Sequence, residues 1–88
     1  MVREAAHSGE DLIDRLQLLC ERQDSAAVEV AHELKGLTKT VGAEELGALA
    51  DQAEELAQLA NWFDLEVLLE DLRGAHERFA EAVAHLGE

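Results

Sequence analysis

The sequence lacks proline and tyrosine, and it contains few aromatic residues, two lysines and one cysteine. A single cysteine excludes an internal disulfide and a zinc site built from cysteines, so we expect Cys20 to pack as a small apolar side chain. No segment near the start resembles a secretory signal, and no stretch approaches the ~20 apolar residues of a membrane span. We therefore expect a cytoplasmic domain, or a cytoplasmic part of a longer chain.

Positive charge is also scarce. Twenty acidic residues oppose seven lysines and arginines, which gives a formal net charge of −13 at pH 7. Nucleic acids and anionic membranes both require a basic face on their partner, so neither is an expected partner. Most of the carboxylates are expected to be solvated side chains on helix surfaces.

The residues that are abundant favour helix. Alanine, leucine and glutamate dominate an 88-residue chain of which 48% is apolar, and all three are good helix formers. Apolar residues repeat every three to four positions in four segments, at about 8–22, 25–40, 43–60 and 62–86. Short connections make neighbouring helices antiparallel. We predict an all-α, monomeric, up-down-up-down four-helix bundle over residues 8–88, preceded by a frayed N-terminus at 1–7.

Capping residues mark the predicted helix boundaries. Ser8 is expected to cap the first helix and either Asp24 or Ser25 the second, because these side chains accept hydrogen bonds from free backbone N–H groups. Asn61 is expected to cap the fourth helix. Gly42 is expected to end the second helix, since glycine tolerates the left-handed conformation found at such ends.

One histidine has unusual neighbours. In a helix, the positions three, four and seven after His32 share its face, and they are Lys35, Gly36 and Lys39. Glycine inside a helix costs ~1 kcal/mol relative to alanine, and here it leaves space beside the imidazole. The two lysines place positive charge where an anion would sit. This arrangement suits a phosphorylated imidazole, because cations stabilise the phosphoryl charge.

The third helix can supply a partner for His32. If the turn is centred near Gly42, the antiparallel third helix brings residues 52–54 level with the histidine, because both arms rise ~1.5 Å per residue. Glu54 or Gln52 could therefore accept a hydrogen bond from the imidazole Nδ1–H. That bond would set the tautomer and leave Nε2 as the nucleophile.

Other interpretations of these residues remain open. A lone helical histidine is commonly a surface residue without a function, and we interpret His7, His76 and His85 as structural or solvated. Glu-x-x-His occurs twice, at Glu4–His7 and Glu29–His32, as in di-iron bundles, but Lys35 would repel a cation and we expect no metal. No catalytic triad, phosphate loop or cofactor fingerprint is present.

The stretch from Ala31 to Leu46, AHELKGLTKTVGAEEL, resembles the histidine-containing phosphotransfer (HPt) domains of bacterial two-component phosphorelays. The matching pattern is His-x-x-Lys-Gly with a glycine ten positions after the histidine: His32, Lys35, Gly36 and Gly42. Glu54 falls where many members carry a glutamate in the third helix. The resemblance is close in the second and third helices, and it extends to the fourth in length and spacing.

The resemblance implies a phosphohistidine carrier without catalysis or cofactor of its own. His32 would accept a phosphoryl group from a phospho-aspartyl receiver domain or a kinase and pass it to another receiver, with Mg²⁺ bound on the receiver alone. Lys35 would offset the phosphoryl charge, with Lys39 secondary. The receiver is expected to dock on a patch at the site. The residues expected in this patch are Val28, Leu37, Lys39, Val41 and Gly42.

The chain departs from the family pattern at two positions. Glu33 and Leu37 replace residues that are often small or hydroxyl-bearing in the family, and a carboxylate next to the acceptor would repel phosphate. The alternative is therefore a degenerate HPt-like docking module that binds receivers without accepting phosphate.

Overall fold

Four helices make up most of the computed structural model, which describes residues 2–86. α1 spans Val2–Glu21, α2 spans Ala27–Val41, α3 spans Glu44–Gln58 and α4 spans Trp62–Leu86. Each helix packs on the next one along the chain, and α4 closes the ring against α1. The predicted four-helix bundle is confirmed. None of the helices in the described part of the chain is long and apolar enough to cross a membrane.

The core is built from leucine, isoleucine, valine and alanine at helical spacing. The largest fully buried side chains come from three of the four helices: they are Ile13, Leu16, Leu34, Leu65 and Leu72. Cys20 is buried among them as expected, and its thiol donates to the backbone oxygen of Trp62 at 3.4 Å. Burial raises the pKa of Cys20 above its ordinary value, because the thiolate would lose hydration.

All three inter-helix turns use a residue in the left-handed region. These residues are Gln23, Gly42 and Ala60, with φ of 53°, 72° and 54°. In each turn a backbone N–H bonds back to a carbonyl five residues earlier, as in the bond from Ala43 to Thr38 at 3.0 Å, which is the Schellman pattern of helix ends. Glycine was predicted at the second turn and is confirmed there. The other two turns place a side chain in a conformation that L-residues disfavour.

The predicted helix starts agree with the structure in part. Asn61 accepts a hydrogen bond from the N–H of Asp64 at 3.4 Å and caps α4. Asp24 accepts from the N–H of Ala26 at 2.9 Å, ahead of α2. The N-cap of α2 is Ala26, which makes no side-chain capping bond, so the predicted cap at Asp24 or Ser25 is wrong. The predicted start of the first helix at Ser8 is wrong, because α1 is already helical from Val2. Of the predicted domain limits, Met1, Gly87 and Glu88 lie outside the described residues.

Leu34→Ala is expected to lower the free energy of unfolding by about 2–5 kcal/mol, because it empties a fully buried position in the core. Leu59→Ala is the matched control: Leu59 is 69% exposed, so its loss should change stability by less than about 0.5 kcal/mol. Urea unfolding followed by circular dichroism measures both values. Equal losses in the two variants would contradict the core described here.

Candidate functional site

The packing of α2 on α3 sets the geometry around His32. Gly47 lets the helices approach closely, since a Cβ on it would lie 3.0 Å from the Thr38 hydroxyl oxygen. That hydroxyl is buried and donates to the Lys35 carbonyl at 2.7 Å, so it cannot easily move aside. Ala43 lies at the centre of the hairpin. His32 and Glu54 are each eleven residues from it, which brings them level.

The His32 imidazole is held on one side and open on the other. Its Nδ1 lies 2.7 Å from Glu54 Oε2, while 72% of its side chain stays exposed. In the neutral imidazole, a carboxylate acceptor next to Nδ1 favours the tautomer with the proton on Nδ1 and the lone pair on Nε2. Glu54 is therefore the partner among the two that were predicted, and Gln52 is exposed. This contact fixes both the tautomer and the orientation of the ring.

Lys35 is paired with two carboxylates of α3. Its Nζ lies 2.7 Å from Asp51 Oδ1 and 3.5 Å from Glu54 Oε1. The hydrogen bond to Asp51 is the main cause that raises the pKa of Lys35 and lowers the pKa of Asp51. Lys35 is therefore a cation at neutral pH, and its charge is shared with two carboxylates. Its role toward a phosphoryl group stays a prediction.

The space predicted beside His32 is present. Gly36 is exposed, and a Cβ built on it would meet no heavy atom within 4 Å. Lys39 is exposed on the same face of α2, about two turns from the histidine. Two carboxylates on α2, Glu29 and Glu33, are also exposed close to His32. The imidazole thus stands on an open surface with mixed charge.

The structure separates the residues predicted for docking. Val28 is half-buried one turn before His32 and on the same side of α2. Leu37 packs against the core and lies about 140° around the helix from His32, and Val41 lies about 180° around it. Gly42 stands about 15 Å along the helix axis, where it forms the turn. Of these five residues, only Val28 and Lys39 share the face of His32. The docking role of all five stays a prediction.

The other histidines lie apart from this site. His7 and His85 are exposed, and His76 is buried in α4 with its ring centroid 6.5 Å from that of Phe79. Across the described residues, no three His, Cys, Asp or Glu side chains come together in a group that could hold a metal. The Glu4 side chain of the first Glu-x-x-His motif lies outside the described residues.

Asp51 belongs to the site and was missed in the sequence. It lies three residues before Glu54 on α3, as Lys35 lies three residues after His32 on α2. In an antiparallel hairpin, two such pairs face each other in order, so His32 meets Glu54 and Lys35 meets Asp51. The signal was an acidic pair at a spacing of three, level with the His-x-x-Lys pair. Twenty acidic residues in the chain obscured it.

The Asp51–Lys35 pair should make the stability of the protein depend on pH in a defined way. Asp51 has a lowered pKa, so its contribution is present above the ordinary value of 3.8 and lost as pH falls through the lowered one. Lys35 has a raised pKa, so its contribution is present below 10.5 and lost as pH rises through the raised one. Wild type is expected to exceed Asp51→Asn in unfolding free energy by a constant amount between about pH 5 and pH 9. Chemical unfolding of both proteins across pH measures this difference, and a difference that persisted at pH 2 would contradict the pair.

The comparison with protein families agrees with the geometry. The Hpt domain family matches residues 1–86, nearly the whole chain. No curated protein and no solved structure matches the chain significantly. The family match spans all four helices and includes the hairpin that holds His32 against Glu54. The chain therefore belongs to the Hpt domain family, the histidine-containing phosphotransfer domains that carry phosphoryl groups in phosphorelays.

Proposed function

We propose that the protein is a phosphorelay intermediate that accepts a phosphoryl group on Nε2 of His32 from the aspartyl phosphate of a receiver domain, or from a kinase, and passes it to another receiver. The observation that carries the proposal is the exposed imidazole whose Nδ1–H is held by Glu54 at 2.7 Å. The nitrogen that remains is a nucleophile with a fixed direction.

The transfer step needs no acid or base from this chain. The lone pair of Nε2 forms a bond to phosphorus as the phosphorus–oxygen bond of the acyl phosphate breaks, and the aspartate leaves with that electron pair. The proton stays on Nδ1, so the phosphorylated ring gains a positive charge. Glu54 balances this charge from 2.7 Å. Mg²⁺ bound by the receiver would stabilise the phosphoryl group during transfer.

The surroundings of His32 suit a docking partner that brings its own cations. A receiver has to approach the imidazole closely, and Gly36 leaves the space for it. Val28 offers half-buried apolar surface, and Lys39 an exposed charge, on the same side of α2. The bundle supplies a rigid position for the nucleophile, and the receiver supplies the rest of the reaction site.

The first test is a phosphotransfer profile. The protein and His32→Gln are incubated with phosphorylated receiver domains and hybrid kinases from the same genome, and acid-labile, alkali-stable phosphate is measured on this chain. We expect label on wild type and none on the variant, because glutamine has no nucleophilic ring nitrogen. Absence of label from every donor, with receivers still bound, would favour the docking module that binds without phosphotransfer.

Gly36→Leu is expected to slow transfer at least about tenfold, since a 1 Å misplacement in a reacting complex can cost two orders of magnitude. Helicity should stay the same or rise, because leucine is the better helix former and the position is open. Gly74→Leu is the matched control in α4, where a Cβ would meet only the Arg78 side chain, at 3.5 Å. A quenched time course of phosphate labelling measures the transfer rate, and circular dichroism measures helicity. Full transfer activity in Gly36→Leu would show that clearance at this position is unnecessary.

A further inference from the structure

The cation nearest to His32 along its helix face is already engaged before any phosphate arrives. Lys35 Nζ contacts Asp51 at 2.7 Å and Glu54 at 3.5 Å, and only 26% of its side chain is exposed. Glu54 has a second task, because its other oxygen accepts from His32. Four side chains thus form a continuous chain of contacts from Asp51 through Lys35 and Glu54 to His32.

Asp51 stands at the outer end of this chain. Among the described residues, the one side chain it pairs with is Lys35, and 61% of its own side chain is exposed. Lys39 adds a weaker attraction that also favours the ionised carboxylate. Asp51 makes no hydrogen bond or ion pair with the imidazole, so its contact route to the reaction site runs through Lys35.

A phosphoryl group on Nε2 would change the competition for this lysine. It carries about −1.5 to −2 charges at neutral pH, on a surface where Glu29 and Glu33 are also exposed. Lys35 is the cation one helical turn from His32, and a lysine ammonium is a mobile point charge on a flexible stem. Moving toward the phosphoryl group would draw it away from Asp51, which lies 2.7 Å from its Nζ.

We propose that Asp51 is a positioning residue that competes with the phosphoryl group for Lys35 and so destabilises the phosphorylated state of His32. This inference rests on the proposed function. The competition keeps the phosphohistidine ready for transfer to the next receiver. It acts by position and not by protonation, because Lys35 is a cation at neutral pH whichever partner it has.

The experiment measures how firmly the domain retains phosphate. His32 is first phosphorylated with phosphoramidate, a small donor whose phosphorus–nitrogen bond breaks with loss of ammonia, so no receiver is needed for loading. A receiver from the transfer profile is then added with Mg²⁺, and the equilibrium ratio of phosphohistidine to phosphoaspartate is measured. Asp51→Asn is expected to raise this ratio about two- to fivefold, the range typical of exposed charge pairs. The rate of spontaneous phosphate loss from His32 should fall in the same variant.

Three variants separate positioning from other effects. Asp14→Asn removes an equally exposed carboxylate, 3.0 Å from Arg73 and 59% exposed, and should leave the ratio unchanged. Asp51→Glu keeps the charge and should behave as wild type. In a Lys35→Met background, Asp51→Asn should have no further effect, because Lys35→Met removes the group through which Asp51 acts. The two single variants and the double variant form a double-mutant cycle that measures this coupling.

The outcomes are distinguishable. Label on His32 of wild type, with the same ratio in Asp51→Asn, would overturn this inference and leave the proposed function standing. An equal effect of Asp51→Asn with and without Lys35 would also overturn it, since the cause would then be general charge. If wild type takes no label at His32 from phosphoramidate or any receiver, the proposed function fails and this inference with it.

Discussion

The register of α2 against α3 is the constraint on which the site depends. Thr38 packs against the bare backbone of Gly47, and Gly42 reverses the chain in the left-handed conformation. These contacts lie outside the chemistry, yet they decide which residues of the two helices are level. His32 meets Glu54 because the hairpin is centred on Ala43. The His32 imidazole is thus oriented by packing about two to three helical turns away.

The positive charge near His32 is weaker than the presence of two lysines on its helix suggests. The net charge is −13, and both lysines lie on one side of α2. One of them is largely neutralised by carboxylates of α3, so the positive field at His32 is weak. A carrier must give up its phosphate as readily as it takes it, and a strong cationic pocket would oppose release. A partly neutralised lysine fits that requirement better than a free one.

Much of the architecture could be predicted from local patterns. Helix-forming residues with apolar repeats defined four helices, and the limits of α4 agree with the prediction. Counting residues out from the turn left Gln52 and Glu54 as possible partners of His32, and the structure selects Glu54. The start of the first helix was wrongly predicted at Ser8, because α1 is helical from Val2. A possible N-cap residue does not mark a helix start when the residues before it are also good helix formers. Gln23 and Ala60 gave no signal of a left-handed turn, since that conformation is imposed by closure of the bundle. Asp51 was missed because pairing across helices depends on rotation about the axis as well as on height.

The symmetry of the hairpin about Ala43 has a consequence for how the site can vary. Both contacts of the chain, His32 with Glu54 and Lys35 with Asp51, obey the same register. One residue inserted in the turn would advance α3 by ~1.5 Å and rotate it by about 100°, and both contacts would be lost together. The identities of the turn residues are thus less constrained than their number. Loop length, which leaves no chemical trace in the site, shapes the surroundings of His32 as much as the carboxylate that holds the imidazole.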